Sequence, residues 1–146
     1  MKITKAGVFI GGWVATVLVG CTAVVVPGGD NNLNATEVVV GTGFVSAART
    51  GTTTGVSDDS ICDGWFPETP NHVMQIDASL GLAITAEGVN GEDVRLWAQS
   101  GQSNFCGDGG SVQELARFWT RGSIDIYVGT TSNGFTADYN LSFDPN

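Results

Sequence analysis

The fold class of this chain is indicated by nine residues in which apolar and polar side chains alternate without a break, Phe135-Thr-Ala-Asp-Tyr-Asn-Leu-Ser-Phe143. An alternation with a period of about two places successive side chains on opposite faces of a β-strand, whereas an α-helix needs a period of about 3.6. The same pattern recurs upstream in shorter segments, His72–Asp77, Leu82–Glu87, Val94–Ala98 and Ile124–Val128. The sequence therefore predicts an all-β domain.

Turn signals lie between these predicted strands. Asn90-Gly91 and Asn133-Gly134 supply residues that accept the positive φ angles of tight hairpin turns. Val112–Trp119 has the length of a short helix, but it ends in bulky aromatic residues, and we interpret it as a strand. Short strands with regular turns are typical of a β-sandwich or a small barrel.

The region before Cys62 is less regular. Glu37–Val45 is rich in β-branched residues and predicts a first strand. Arg49–Gly55 consists almost entirely of Thr and Gly, and this low complexity predicts a loop or long connection.

Composition limits the function classes. The 146 residues suffice for one domain, and six Lys and Arg stand against fifteen Asp and Glu, giving a formal net charge of −9. Nucleic-acid binding needs clustered Lys and Arg to neutralise phosphates, so nucleic acid is excluded as a partner. The chain has one histidine, which argues against a multi-histidine metal site or acid–base centre.

The N-terminal segment has the pattern of an export signal. Lys2 and Lys5 precede an uncharged apolar run, as in secretory signal peptides. Leu18-Val-Gly-Cys21 resembles the lipobox of bacterial lipoproteins, which implies lipidation of Cys21. We therefore predict a signal peptide over 1–20, a lipid-anchored tether over 21–36 and a β-sandwich domain over 37–146. The protein is expected to be exported and held at the bacterial cell envelope, as a periplasm-facing or surface lipoprotein.

Other interpretations of this segment stay open. The uncharged run continues to Gly29, which is long enough for an uncleaved transmembrane helix. Cys21-Thr-Ala23 also reads as an ordinary cleavage site, which would release a secreted protein. The third alternative is that Cys21 is a buried or membrane-embedded thiol without a function.

Cys62 and Cys106 are the cysteines of the predicted β region. Export places them in an oxidising compartment, so a Cys62–Cys106 disulfide is expected. A redox-active pair is the alternative, but such cysteines are usually close together as Cys-x-x-Cys.

An ordered set of motifs resembles bacterial pre-peptidase C-terminal (PPC) domains between positions 62 and 143. The set comprises Cys62-Asp-Gly-Trp-Phe-Pro-Glu-Thr-Pro-Asn-His72, Glu92–Leu96, Cys106-Gly-Asp108, Trp119–Gly129 and Tyr139–Phe143. This resemblance implies a jelly-roll-like antiparallel β-sandwich that is exported and non-catalytic. It also implies an association with secretion, with polymers or proteins as partners and, in some members, with calcium.

Calcium is the one metal that the sequence suggests, because it prefers hard oxygen ligands from loops. The candidate ligands are carboxylates that the disulfide would bring together, Asp58, Asp59, Asp63, Glu92, Asp93 and Asp108. A solvated acidic rim is the alternative. Cys106-Gly-Asp108 has a single carboxylate where the PPC pattern often has more, which weakens a calcium role for that loop.

An aromatic surface is the second candidate site. If Leu96 and Ile126 face the core, alternation points Trp97 and Tyr127 to the opposite face, where exposed rings stack on sugars or contact a protein. The alternative is that these two rings pack under a loop. In that interpretation the other aromatic residues of the region, Trp65, Phe118 and Trp119, belong to the core.

Catalysis is not expected. A serine hydrolase would need His72 as its base, and no Gly-x-Ser-x-Gly elbow is present. Asp58-Asp59 and Glu92-Asp93 are adjacent carboxylates, which alternate faces in a strand and meet water in a turn. The sequence therefore predicts a non-enzyme that acts as an interaction or structural module for an envelope protein or polysaccharide. The alternative is a calcium- or carbohydrate-binding domain.

Overall fold

A computed structural model describes residues 36–146. The predicted signal peptide, Cys21 and the tether up to position 35 lie outside the described residues. Within the described part, no helix is long and apolar enough to span a membrane. The first strand begins at Thr36, the last position of the predicted tether.

The described residues form twelve β-strands and one 3₁₀ turn, Val89–Gly91. The strands are β1 (Thr36–Val40), β2 (Ala47–Thr54), β3 (Ser57–Asp59), β4 (Gly64–Phe66), β5 (His72–Ile76), β6 (Leu80–Gly88), β7 (Val94–Ser100), β8 (Ser103–Cys106), β9 (Asp108–Gly109), β10 (Val112–Trp119), β11 (Gly122–Thr130) and β12 (Thr136–Pro145).

These strands build two sheets. In the seven-stranded sheet, β11 is central: β5 and β4 pair along one side of it and β7 along the other. β1 continues the sheet beyond β5, β3 beyond β4, and β8 beyond β7. The five-stranded sheet has the order β2-β12-β6-β10-β9. Strand pairing is antiparallel apart from β1, which runs parallel to β5. The all-β sandwich prediction is confirmed.

The core fills the space between the sheets. Alternation along each strand turns one set of side chains inward, and each fully buried Leu or Ile contributes about 1.5–3 kcal/mol relative to exposure. The largest of these buried apolar side chains come from both sheets: Val38, Val40, Met74, Val94, Leu96, Ile124 and Ile126 on one side, and Leu82, Ile84, Leu141 and Phe143 on the other.

Both turns lie where they were predicted, with positive φ at three of the four residues, but neither turn closes a hairpin, because β6 and β7 lie in different sheets and so do β11 and β12. Asn90 and Gly91 have φ angles of 63° and 77°, and Gly134 has a φ angle of 72°. Val112–Trp119 is strand β10 and pairs with β6 over its whole length. Both results follow from local chemistry, since positive φ favours Asn and Gly, and bulky aromatic residues pack well on a sheet.

The loop predicted over Arg49–Gly55 is wrong, because most of it is strand β2, which pairs with β12. Threonine is β-branched and favours strands, so the low complexity hid a regular alternation. Gly51 is required by packing: a Cβ atom there would lie 2.7 Å from Cζ of Tyr139. The small residue therefore makes room for a large ring that points into the core.

Candidate functional site

Trp97 and Tyr127 lie side by side on the outer face of the seven-stranded sheet. They are directly paired across β7 and β11, and their ring centroids are 4.3 Å apart in a stacked arrangement. Leu96 and Ile126, their neighbours in sequence, are buried in the core. The predicted division of these strands into an inner and an outer face therefore holds.

Of the two alternatives for this aromatic pair, the covered one holds for Tyr127, which is 8% exposed. Phe66 and Cys62 pack against the pair, and the Cys62–Cys106 disulfide fixes the β3–β4 segment over it. Trp97 is half-buried, with an edge-on contact to Phe66 at 5.4 Å between centroids. Tyr127 covers one face of the indole, so that face is not available for stacking on a ligand.

A polar strip continues from the aromatic pair along the same outer face. We define it as five side chains from neighbouring strands, Gln75, Gln99, Asn104, Ser123 and Asp125. Cross-strand partners join them: Asn104 faces Gln99, Gln99 faces Asp125, and Ser123 faces Gln75. All except Ser123 are half-buried.

One hydrogen bond joins the polar strip to the aromatic pair, and another lies within the strip. Nε1 of Trp97 donates to Oδ1 of Asn104 at 3.0 Å, and Nε2 of Gln75 donates to Oγ of Ser123 at 3.2 Å. Burial and, secondarily, the Asp125 carboxylate raise the pKa of Tyr127. The strip offers amide, hydroxyl and carboxylate groups together, which can both donate and accept hydrogen bonds.

The candidate calcium ligands are not brought together. Among residues 36–146, no group of three or more His, Cys, Asp or Glu side chains is placed to hold a metal ion. Oδ1 of Asp59 accepts the backbone N–H of Ile61 at 2.6 Å, and Oε2 of Glu92 accepts that of Asp138 at 3.0 Å. Asp59 thus stabilises a local turn, and Glu92 joins the segment before β7 to strand β12. The others are distributed over β3, β9 and the intervening loops: Asp58, Asp63, Asp93 and Asp108.

His72 is buried between the sheets. Its Nε2 lies 2.8 Å from Oη of Tyr139, which comes from the opposite sheet. Burial and, to a smaller extent, the positive charge of Arg49 lower the pKa of His72 to about 4. The imidazole is therefore neutral at pH 7 and 3% exposed, so it has a structural role in the core.

Comparisons with known proteins give a fold. No protein-family model matches the chain, and no curated protein matches it. It is similar to the solved pre-peptidase C-terminal domain of a collagenase from Bacillus anthracis, with 16% identity and a TM-score of 0.51, over 78% of this chain and 100% of that domain. The fold is PPC-like. The periplasmic inhibitor of g-type lysozyme PliG from Aeromonas hydrophila matches at 15% identity and a TM-score of 0.41, over 77% of this chain and 100% of the inhibitor.

Sequence reasoning found the aromatic pair of this PPC-like sandwich but missed the polar strip. Gln99 and Asp125 lie two residues from Trp97 and Tyr127, so the same alternation places them on the same face. Gln75, Asn104 and Ser123 join the strip through strand pairing, which the local pattern does not contain.

Removing the disulfide should destabilise the domain strongly. The two cysteines are 44 positions apart, and loop-closure entropy gives a loss of about 4 kcal/mol in the free energy of unfolding. We expect this loss in the Cys62→Ser/Cys106→Ser variant, measured by urea denaturation at pH 7. Reduced wild-type protein is the control and should match the variant. A loss below about 1 kcal/mol would show that the cross-link contributes little.

Stability should fall as the pH drops from 6.5 to 4. The unfolded imidazole of His72 has a pKa of 6.5 and the folded one a pKa of about 4, so the unfolded state binds more protons between these values. The accumulated loss is about 3 kcal/mol, since one pKa unit corresponds to about 1.4 kcal/mol.

The measurement is the free energy of unfolding of wild type and His72→Gln at several pH values from 7 to 4.5. The difference between their free energies of unfolding at each pH reports the contribution of His72, because the carboxylates contribute equally to both proteins. His72→Gln should flatten the pH dependence, and an unchanged slope would contradict the assignment.

Proposed function

We propose that this protein is a non-catalytic, exported and lipid-anchored interaction module of the bacterial cell envelope. The observation that carries the proposal is the polar strip beside the aromatic pair, on the outer face of the seven-stranded sheet. The PPC-like fold is compatible with such a role.

The buried state of His72 supports a function without catalysis. It is the single histidine of the chain, and its Nε2 is engaged with Tyr139 inside the core. General base catalysis requires an imidazole within hydrogen-bond reach of a substrate, which this position does not offer. The carboxylates are dispersed or bonded to backbone N–H groups, as with Asp59 and Glu92.

The partner class that fits the polar strip best is a neutral polysaccharide. Sugar hydroxyls both donate and accept hydrogen bonds, and the strip carries amides, a hydroxyl and one carboxylate. Half-burial of Gln99, Asn104 and Asp125 limits their side-chain motion, so less rotamer entropy is lost on binding. Trp97 adds an apolar edge at the end of the strip.

Calcium and free aromatic stacking have less support. The candidate calcium ligands do not cluster within residues 36–146, and Tyr127 covers one face of Trp97. We therefore place recognition in the hydrogen-bonding groups of the strip, with the aromatic pair as a rigid support next to them.

Binding should be measured by calorimetry with soluble neutral oligosaccharides of β-linked glucose and of N-acetylglucosamine. We expect the Gln99→Ala/Asp125→Ala variant to bind at least tenfold more weakly, because it loses hydrogen bonds of about 0.5–1.5 kcal/mol each. The matched control is Asn140→Ala, which removes an exposed amide from the other sheet. No detectable binding to any oligosaccharide would contradict the polysaccharide partner, as would an equal loss in the control.

The anchor is tested separately by the intact mass of protein extracted from membranes. We expect a chain that begins at Cys21 and carries the added mass of two or three acyl chains, since two or more chains give stable anchoring. A chain that begins at Met1 would indicate an uncleaved helix. A chain that begins at Val24 would indicate ordinary cleavage, and either result would contradict lipidation.

A further inference from the structure

The exposed positive charge of the described residues is concentrated at one end of β10. Arg49 is buried and Arg95 half-buried, whereas Arg117 and Arg121 are exposed. Arg117 belongs to β10, and Arg121 lies in the turn that follows it. Two exposed arginines so close in sequence are unusual on a chain with a formal net charge of −9.

Aromatic side chains fix one of these arginines and flank it. The guanidinium carbon of Arg117 lies 3.5 Å from the ring centroid of Phe105, a cation–π contact that holds its plane. Arginine-donated side-chain hydrogen bonds within residues 36–146 come from Arg49 and Arg95. The N–H donors of Arg117 are therefore available to a partner.

Phe118 is the second unexpected feature, because it was predicted in one interpretation to belong to the core. It is 64% exposed, since Trp119 takes the inward position and alternation turns Phe118 outward. Its cross-strand partner is Gly81, which has no side chain of its own, and the side chain of Asn146 lies over that glycine. An exposed aromatic next to two exposed arginines is typical of a protein-binding surface.

The backbone at this end of β10 is also unpaired along one side. β9 pairs with β10 at Gln113 and Glu114, while the segment Leu115–Trp119 has ladder partners on β6 alone within the described residues. A free strand edge is a template for an added strand. Arg117 lies on this edge at an inward-facing position, and such charges prevent indiscriminate pairing.

We propose that the free edge of β10, from Leu115 to Trp119, binds an extended acidic segment of another protein as an additional strand. Carboxylates of that segment would pair with Arg117 and Arg121, and an apolar side chain would contact Phe118. The positive charge that blocks neutral or basic strands then selects acidic ones.

Charge and backbone chemistry together favour this occupant over others. A polysaccharide or a membrane offers no N–H and C=O ladder to satisfy the strand edge. A second copy of this chain would bring net negative charge against net negative charge. This surface is on the five-stranded sheet, so it is independent of the polar strip, and either proposal can fail without the other.

The test uses the full chain and three synthetic ten-residue peptides of alternating Thr and Glu, Thr and Gln, or Thr and Lys. Binding is followed by fluorescence anisotropy of the labelled peptide at low salt, and the site by amide hydrogen exchange. We expect the Glu peptide to bind at least fivefold more tightly than the Gln peptide, with new protection in Leu115–Trp119. The Lys peptide should not bind.

The variants Arg117→Gln, Arg121→Gln and Phe118→Ser should each weaken binding of the Glu peptide at least threefold. Arg95→Gln is the matched control, because it removes the same charge from the other sheet and should leave binding unchanged. Arg121 and Phe118 are exposed, so we expect their variants to fold. These two variants still test the proposal if Arg117→Gln does not fold.

Several results would overturn the proposal. Equal binding of the Glu and Gln peptides would remove the role of charge. If the peptide protected amides elsewhere from hydrogen exchange, the binding site would lie outside β10. If the peptide bound without new protection in β10, the arginines would capture its carboxylates without strand addition. Tight binding of phosphatidylglycerol vesicles, sensitive to Phe118→Ser and without peptide binding, would identify a membrane as the occupant.

Discussion

The hydrogen bond between His72 and Tyr139 crosses the interior of the sandwich and joins one sheet to the other. Several features depend on it. Gly51 is needed because the Tyr139 ring takes the space of a side chain there. Because two polar groups are buried in an apolar core, leaving either without its partner would cost about 1–3 kcal/mol. The pair therefore fixes how β5 and β12 face each other.

This constraint also bears on function. The chain has a single imidazole, and the fold uses it as an internal connection between sheets. Oδ1 of Asn71, the residue before His72, accepts the N–H of Val128 at 2.7 Å, so the segment that enters β5 is held to the central strand β11. With His72 buried and bonded to Tyr139, its imidazole is not available to a molecule at the surface.

The two outer faces of the sandwich differ in what they offer. On the seven-stranded sheet, the disulfide-linked segment covers the stacked pair of Trp97 and Tyr127, and the polar strip extends from it. On the five-stranded sheet, Phe118 is exposed, and among residues 36–146 no strand pairs with β10 along one side next to Arg117. We propose a polymer that presents hydroxyl groups as the partner of the first face and an acidic polypeptide as the partner of the second.

The sequence by itself determined the local properties: the alternating strands, the turns at Asn90-Gly91 and Asn133-Gly134, the Cys62–Cys106 pair and the inner and outer faces of β7 and β11. These depend on neighbours within a few residues, and periodicity reports them directly. The same reasoning failed for β2, where threonine-rich composition hid a strand, and it left open whether Tyr127 is exposed or covered. Only the tertiary structure decided which strands are neighbours, and hence that Gln75, Gln99, Asn104, Ser123 and Asp125 form one strip. It also decided that Leu115–Trp119 keeps a free edge within the part of the chain that the structure describes, because pairing between strands joins residues far apart in the chain and leaves no local pattern.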